Sequence, residues 1–197
     1  MRTLILGSGA GTNAKAIIQA QADDFLGKAE IIAVLSDNKE SGILEIAKFH
    51  KIENLFLDPG LSLSKLDEKE EQTWIETISS YEPDLIVLAG FMRILSPIFL
   101  KAFPRMIINL HPSLLPSFKG LNAIEQAYKY GVRISGSTVH WVNCEVDGGE
   151  IIAQAPVRIM SGDTLEMVRE KIRGIEYMLL PSVIRDLSIG SVSFPAQ

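Results

Sequence analysis

A single cysteine, Cys144, among 197 residues leaves no internal disulfide to hold this chain together, and so sparse a use of thiols fits a reducing compartment. Long apolar runs are missing too: none approaches the roughly 18 to 20 residues of a membrane span. Nor are basic residues abundant or clustered, since nineteen Lys and Arg stand against twenty-four Asp and Glu, giving a net charge of −5. That balance argues against broad electrostatic capture of nucleic acid. An anionic small molecule would instead need a local device, such as free N–H groups at a helix start. The opening MRTLILGSGAGTNA does not read as a signal peptide, because Gly7 to Asn13 interrupt the apolar stretch such a segment needs. A cytoplasmic protein with neither membrane nor nucleic-acid partner is the expectation.

What the chain does have is 47% hydrophobic residues, enough for a core without metal or disulfide. Its first hundred residues alternate short apolar runs with amphipathic ones, the pattern of βαβ units and a parallel sheet. Strands are expected at Thr3–Leu6, Ile31–Leu35, Asn54–Leu57 and Leu85–Ala89, and helices at about Asn13–Ala22, Gly42–His50 and Ser64–Tyr81, the third charged on one side. A fifth strand, Met106–Leu110, runs into HPSLLPSFKG, where Pro112 and Pro116 forbid a helix. After a helix near Ala123–Tyr130, the runs Ser137–Val142 and Ile151–Val157 flank a short polar turn, which suits an antiparallel pair. The last helix begins at Asp163, spaced like a capping box with Glu166, and Leu165, Val168, Ile172, Ile175 and Leu179 mark its buried stripe. Glu176 falls at the border of that stripe, where a side chain can reach a cleft. The expected class is therefore α/β, a mostly parallel Rossmann-like sheet flanked by helices, extended by an antiparallel C-terminal strand pair and a long C-terminal helix. With no repeat or linker, the whole chain reads as one domain.

Two places carry chemistry. The turn Gly7-Ser8-Gly9-Ala10-Gly11-Thr12-Asn13 lies between the first strand and first helix, where an α/β sheet turns free N–H groups toward a phosphate. It is not a dinucleotide fingerprint, since Thr12 breaks G-x-G-x-x-G, and no P-loop Lys follows. A phosphate site at Gly11, Thr12 and Asn13 and a plain tight turn both fit. At the end of the fifth strand, Asn109 and His111 are two apart and so share a face. Asn suits a developing oxyanion, and His exchanges protons near neutral pH. Asp147, in the Asp-Gly-Gly turn, is the natural carboxylate to orient that imidazole. Taken singly, residues of these three kinds are more often a turn-capping amide, a satisfied partly buried histidine and an ordinary turn residue. His140 and Cys144 invite a metal or nucleophile reading, but no standard zinc spacing is present, and Cys144 is expected to be a core residue.

Taken together, Ile108-Asn109-Leu110-His111-Pro112-Ser113-Leu114-Leu115-Pro116, Gly136-Ser137-Thr138-Val139-His140, Asp147-Gly148-Gly149, Leu88-Ala89-Gly90-Phe91-Met92-Arg93-Ile94-Leu95-Ser96-Pro97 and the first turn resemble the phosphoribosylglycinamide formyltransferase (GAR transformylase) family of folate-dependent formyltransferases. The resemblance covers nearly the whole chain. It implies one formyltransferase domain over 1–197, with a nucleotide-binding half at about 1–100 and a folate-binding, catalytic half at about 101–197. It implies Asn109, His111 and Asp147 as catalytic, Gly11, Thr12 and Asn13 on the substrate phosphate, and Glu176 on the substrate. Met92, Arg93, Ile94, Leu95 and Asn109 become folate contacts. Glycinamide ribonucleotide and 10-formyltetrahydrofolate are the implied small-molecule substrates of purine biosynthesis, with no metal, in a monomer or homodimer. This sequence departs from the family near Asp67, where a phosphate-binding Arg is usual and Lys65 and Lys69 are the nearest cations, and at Tyr177, where a His is usual.

Alternatives remain at this stage. Another N-formyltransferase, acting on an amino sugar or on methionyl-tRNA, would share the Asn-x-His and Asp-Gly-Gly pieces, but such enzymes carry an added C-terminal domain, and the tRNA enzyme should show basic patches. A nonenzymatic nucleotide-binding module would use the glycine turn alone. An NAD-dependent oxidoreductase is disfavoured by the broken fingerprint.

Overall fold

A computed structural model describes residues 1–195. Its elements are β1 (Arg2–Leu6), α1 (Thr12–Ala22), β2 (Glu30–Ser36), α2 (Gly42–Phe49), β3 (Glu53–Phe56), α3 (Glu68–Ser80), β4 (Leu85–Leu88), α4 (Pro97–Ala102), β5 (Ile107–His111), α5 (Ala123–Tyr130), β6 (Ile134–Trp141), β7 (Ile151–Arg158) and α6 (Leu165–Ser188). The strands form one sheet in the order β3-β2-β1-β4-β5-β6-β7. Strands β1 to β5 are parallel, and β6 runs antiparallel to both its neighbours. From β1 the chain builds outward to β3 and then returns to the other side of β1 with β4. The crevice of an open α/β sheet lies at such a reversal, beyond the carboxyl ends of the strands.

Strands covered on both faces read as unbroken apolar runs, and all four residues of β4 are buried. Their alternation feeds two cores. Ile5, Val34 and Val87 join α1, α2 and α6, while Leu4, Leu6, Leu35, Ile86 and Leu88 join α3 and α4. In β5, Ile108 and Leu110 belong to the first core and Ile107 to the second. Asn109 and His111 therefore follow Ile107 onto the α3/α4 face, at the carboxyl end of the sheet.

Three local features differ from the sequence expectation. Helix α3 begins at Glu68 rather than Ser64, because the preceding loop is pinned in another shape: the Asp67 carboxylate accepts the Leu61 (2.8 Å) and Ser62 (3.3 Å) N–H groups, and Lys65 bridges to Ile94. The short α4 was not anticipated; Ser96 caps it by accepting from the Ile98 and Phe99 amides, with Pro97 in its first turn. Helix α6 is capped by Thr164, which accepts from Met167 N, and not by Asp163. Asp163 instead takes the Met160 N–H (2.7 Å) and pairs with Lys171 (2.5 Å), while Glu166 faces Arg169 and Arg173.

The α3 face rests on Trp74, whose ring is buried and whose Nε1 donates to the Asp58 carbonyl at 2.9 Å. Trp74→Ala should cost about 3–5 kcal/mol in denaturant unfolding, and a loss below about 1 kcal/mol would contradict this packing.

Candidate active site

Antiparallel pairing of β5 with β6 sets Asn109 opposite His140 and His111 opposite Thr138. Directly opposed residues share a face, so two residues of each strand meet on one patch. Asn109 Nδ2 donates to His140 Nε2 at 3.2 Å, and His140 Nδ1 is turned to the Trp141 carbonyl at 2.9 Å. A carbonyl only accepts, so Nδ1 carries the proton and Nε2 is free to take the Asn109 hydrogen. The turn after β6 then delivers Asp147. Its Oδ2 lies 3.2 Å from His111 Nδ1 and accepts the Gly120 N–H at 2.8 Å, and its Oδ1 lies 3.6 Å from His140 Nε2. Asp147 holds a left-handed φ of 50°, and a Cβ on Gly149 would sit 1.6 Å from the Trp141 carbonyl oxygen. Glycine at 149 is thus dictated by the close approach that aims the carboxylate.

The other nitrogen of His111, Nε2, faces the Phe118 carbonyl at 2.9 Å. Both nitrogens thus face atoms that only accept, so the imidazolium satisfies both contacts and a neutral ring only one. Burial pushes the Asp147 carboxyl up, yet His140, the Gly120 N–H and the charge of His111 outweigh it and hold the group below its ordinary value. Sequence reasoning weighed His140 only as a metal ligand or base. Its place opposite Asn109 follows from strand register, which two-residue alternation alone does not supply.

On β6, Ser137 points to the opposite face from Thr138 and His140. There its hydroxyl donates to Glu176 Oε1 at 3.1 Å, and Asn13 Nδ2 donates to Oε2 at 3.2 Å. Glu176 is buried rather than at the border of its helical stripe, and it joins the first turn of α1 to β6. Burial raises its carboxyl, against the hydrogen bonds from Asn13 and Ser137 and the charge of Arg173. Asn13 Oδ1 is itself buried without a partner. Gly11, at the N-cap of α1, has a φ of 76°, and no side chain caps the helix, so its first-turn amides have no side-chain acceptor. A Cβ there would also lie 2.6 Å from Ile43 Cα, so packing demands this glycine as well.

The remaining predicted residues are spread along one loop. Since β4 pairs with β5 at Leu88 and Asn109, the segment after β4 leaves the sheet beside Asn109. Met92 and Ile94 are exposed at 65% and 56%, whereas Leu95 is buried in the α3/α4 core. The Arg93 side chain turns away into an ion pair with Asp37 (2.6 Å) and onto the Ser62 and Lys65 carbonyls. Lys65 and Lys69 are exposed, and Asp67 is occupied by its own loop. Cys144, expected in the core, is exposed because it sits in the polar turn rather than on β6. Among the described residues, no group of three or more His, Cys, Asp or Glu is disposed to hold a metal ion.

Residues 1–184 match the family model for formyl transferase. The chain belongs to the formyl transferase family. It is 36% identical over 183 residues to phosphoribosylglycinamide formyltransferase of Bacillus subtilis, covering 93% of this chain and 92% of the relative. To the same-named protein of Escherichia coli K12 it is 37% identical over 186 residues, 93% of this chain and 85% of the other. A crystal structure of glycinamide ribonucleotide transformylase 1 from Symbiobacterium toebii superposes with a TM-score of 0.92 at 36% identity, covering 100% of this chain and 91% of that one. No helix of this formyl transferase, among the described residues, is long and apolar enough to cross a membrane.

The two carboxyls should respond to pH with opposite sign. Asp147 has a lowered value, so its contribution to stability is present above the ordinary range near pH 4 and is lost as pH falls through the folded value. The penalty of Asp147→Asn should therefore shrink in acid. Glu176 has a raised value, so wild-type stability drops as pH rises from the ordinary range through the folded value, and Glu176→Gln should gain on wild type across that window. Urea midpoints measured from acid to neutral pH check both; trends of the same sign would contradict the assignment.

Proposed function

We propose that this enzyme transfers the formyl group of 10-formyltetrahydrofolate to the primary amine of glycinamide ribonucleotide (5'-phosphoribosylglycinamide), a step of purine biosynthesis. The observation that carries this reading is the spacing of two half-sites on one sheet edge. The uncapped start of α1 and the Asn109–His111–Asp147 cluster stand two strands apart, with β4 between β1 and β5. At about 4.8 Å per strand the gap is roughly 10 Å, which a ribose can bridge from a phosphate at one end to an amine at the other. The relatives' names point to the same substrate.

In this reading the first-turn amides at Gly11, Thr12 and Asn13 receive the phosphate, where the helix dipole favours negative charge. Glu176 meets the substrate from the same side, already bonded to Asn13. An amine attacking a formyl carbonyl builds negative charge on the carbonyl oxygen. Asn109 Nδ2 and His111 Nε2 are the donors for that charge, His111 exchanging the Phe118 carbonyl for the substrate oxygen. Asp147 keeps the ring oriented and, directly or through water, relays the proton that the amine loses to the folate nitrogen, which departs as its bond to the formyl carbon breaks and the new carbon–nitrogen bond to the amine is complete. Bound folate supplies the activated one-carbon unit. Exposed apolar side chains beside a polar strand end fit such a half-apolar carrier: Met92 and Ile94 offer side chains, and Arg93 and Leu95, whose side chains are engaged elsewhere, offer backbone.

Asn109→Ala should lower kcat by roughly 10²–10³ and Asp147→Asn by roughly 10²–10⁴, with the ribonucleotide KM little changed. The change in folate absorbance on deformylation, with the amine omitted as control, measures it. Turnover unchanged in either variant would remove that residue from the site.

A further inference from the structure

We propose that Thr138 and Gln154 are positioning residues for His111, acting through the loop that follows β5; the catalytic importance of His111 rests on the function proposed above. His111, Thr138 and Gln154 lie in register across β5, β6 and β7, a row of three polar side chains on one sheet face. The buried Thr138 hydroxyl donates to the Ser113 carbonyl (2.7 Å) and accepts from Leu115 N (3.0 Å) and Gln154 Nε2 (2.9 Å). That is the whole bonding capacity of a hydroxyl. Gln154 Nε2 spends its second hydrogen on the Leu115 carbonyl at 2.9 Å.

The clamped segment has no strand ladder of its own, and its two prolines supply no N–H. It is closed further by Ser113, whose Oγ donates to the Ser117 carbonyl at 2.6 Å. The next residue, Phe118, has a φ of 56° and presents its carbonyl to His111 Nε2. Nε2 is the ring nitrogen that Asp147 does not hold. Its direction is therefore set by a carbonyl whose own place is set by Thr138 and Gln154. Without the clamp the carbonyl shifts and the ring is tethered at Nδ1 alone.

The test compares wild type, Gln154→Met, Thr138→Val and Thr138→Ser. Gln154 is exposed on the outermost strand, so its variant keeps the test alive if Thr138→Val fails to fold. Two readouts are taken: exchange of the His111 Nε2–H in the unliganded protein, by NMR with ¹⁵N-labelled histidine, and kcat with the ribonucleotide KM. Gln154→Met and Thr138→Val should speed that exchange at least about tenfold and lower kcat by roughly ten- to a hundredfold at nearly constant KM, and Thr138→Ser should restore most of both. Unchanged exchange in Gln154→Met overturns the proposal, whether or not kcat falls. A wild type without turnover on these substrates would contradict the proposed function, while the exchange measurement would still decide the positioning role.

Discussion

One half-buried carboxylate organises the site: Asp147 reaches both imidazoles and the Gly120 amide, and so gathers β5, β6, the loop between them and the turn beyond into one cluster. A carboxylate taken out of water without partners would cost several kcal/mol and would neutralise instead. Here Oδ2 meets the Gly120 N–H and the His111 ring while Oδ1 faces His140, and the carboxyl is held low despite burial. The arrangement depends on the reversal of β6. A parallel sixth strand would need a crossover, whereas the reversed strand lays His140 beside Asn109 and then turns at once to deliver Asp147.

A second carboxyl, Glu176, shows what the environment does to the same chemical group. It projects from α6 on the other face of the sheet, against α1 and β6, and there burial wins over its hydrogen bonds. Two carboxyls with values driven apart can take different duties. Asp147 is suited to hold the His111 ring and relay a proton in the proposed site, while Glu176, from the other face, fixes Asn13 at the start of α1 and Ser137 on β6.

The strands were legible because buried parallel strands are runs of apolar residues between turn signals, and every predicted strand lies within a residue or so of the observed one except the start of β6, at Ile134 rather than Ser137. The class, with its reversed C-terminal strand and long last helix, followed from connection lengths. Asn109 and His111 were legible as a pair because period two is written in sequence. His140 was not, because register between strands is settled by packing across the sheet. The same holds for helix starts: Asp163 and the segment from Ser64 have helix-compatible residues, but Lys171 claims the first and the Asp67 carboxylate bends the second. Nothing in the sequence marks Arg93 as the partner of Asp37, a contact made across 56 positions.

The central claim is that His111 and Asp147 act as one unit. A double-mutant cycle on kcat, with His111→Asn, Asp147→Asn and the combined variant, tests it most directly. The account predicts that the combined loss is about as large as the greater single loss, as for groups that work only together. Losses that multiply, each residue contributing independently, would contradict it.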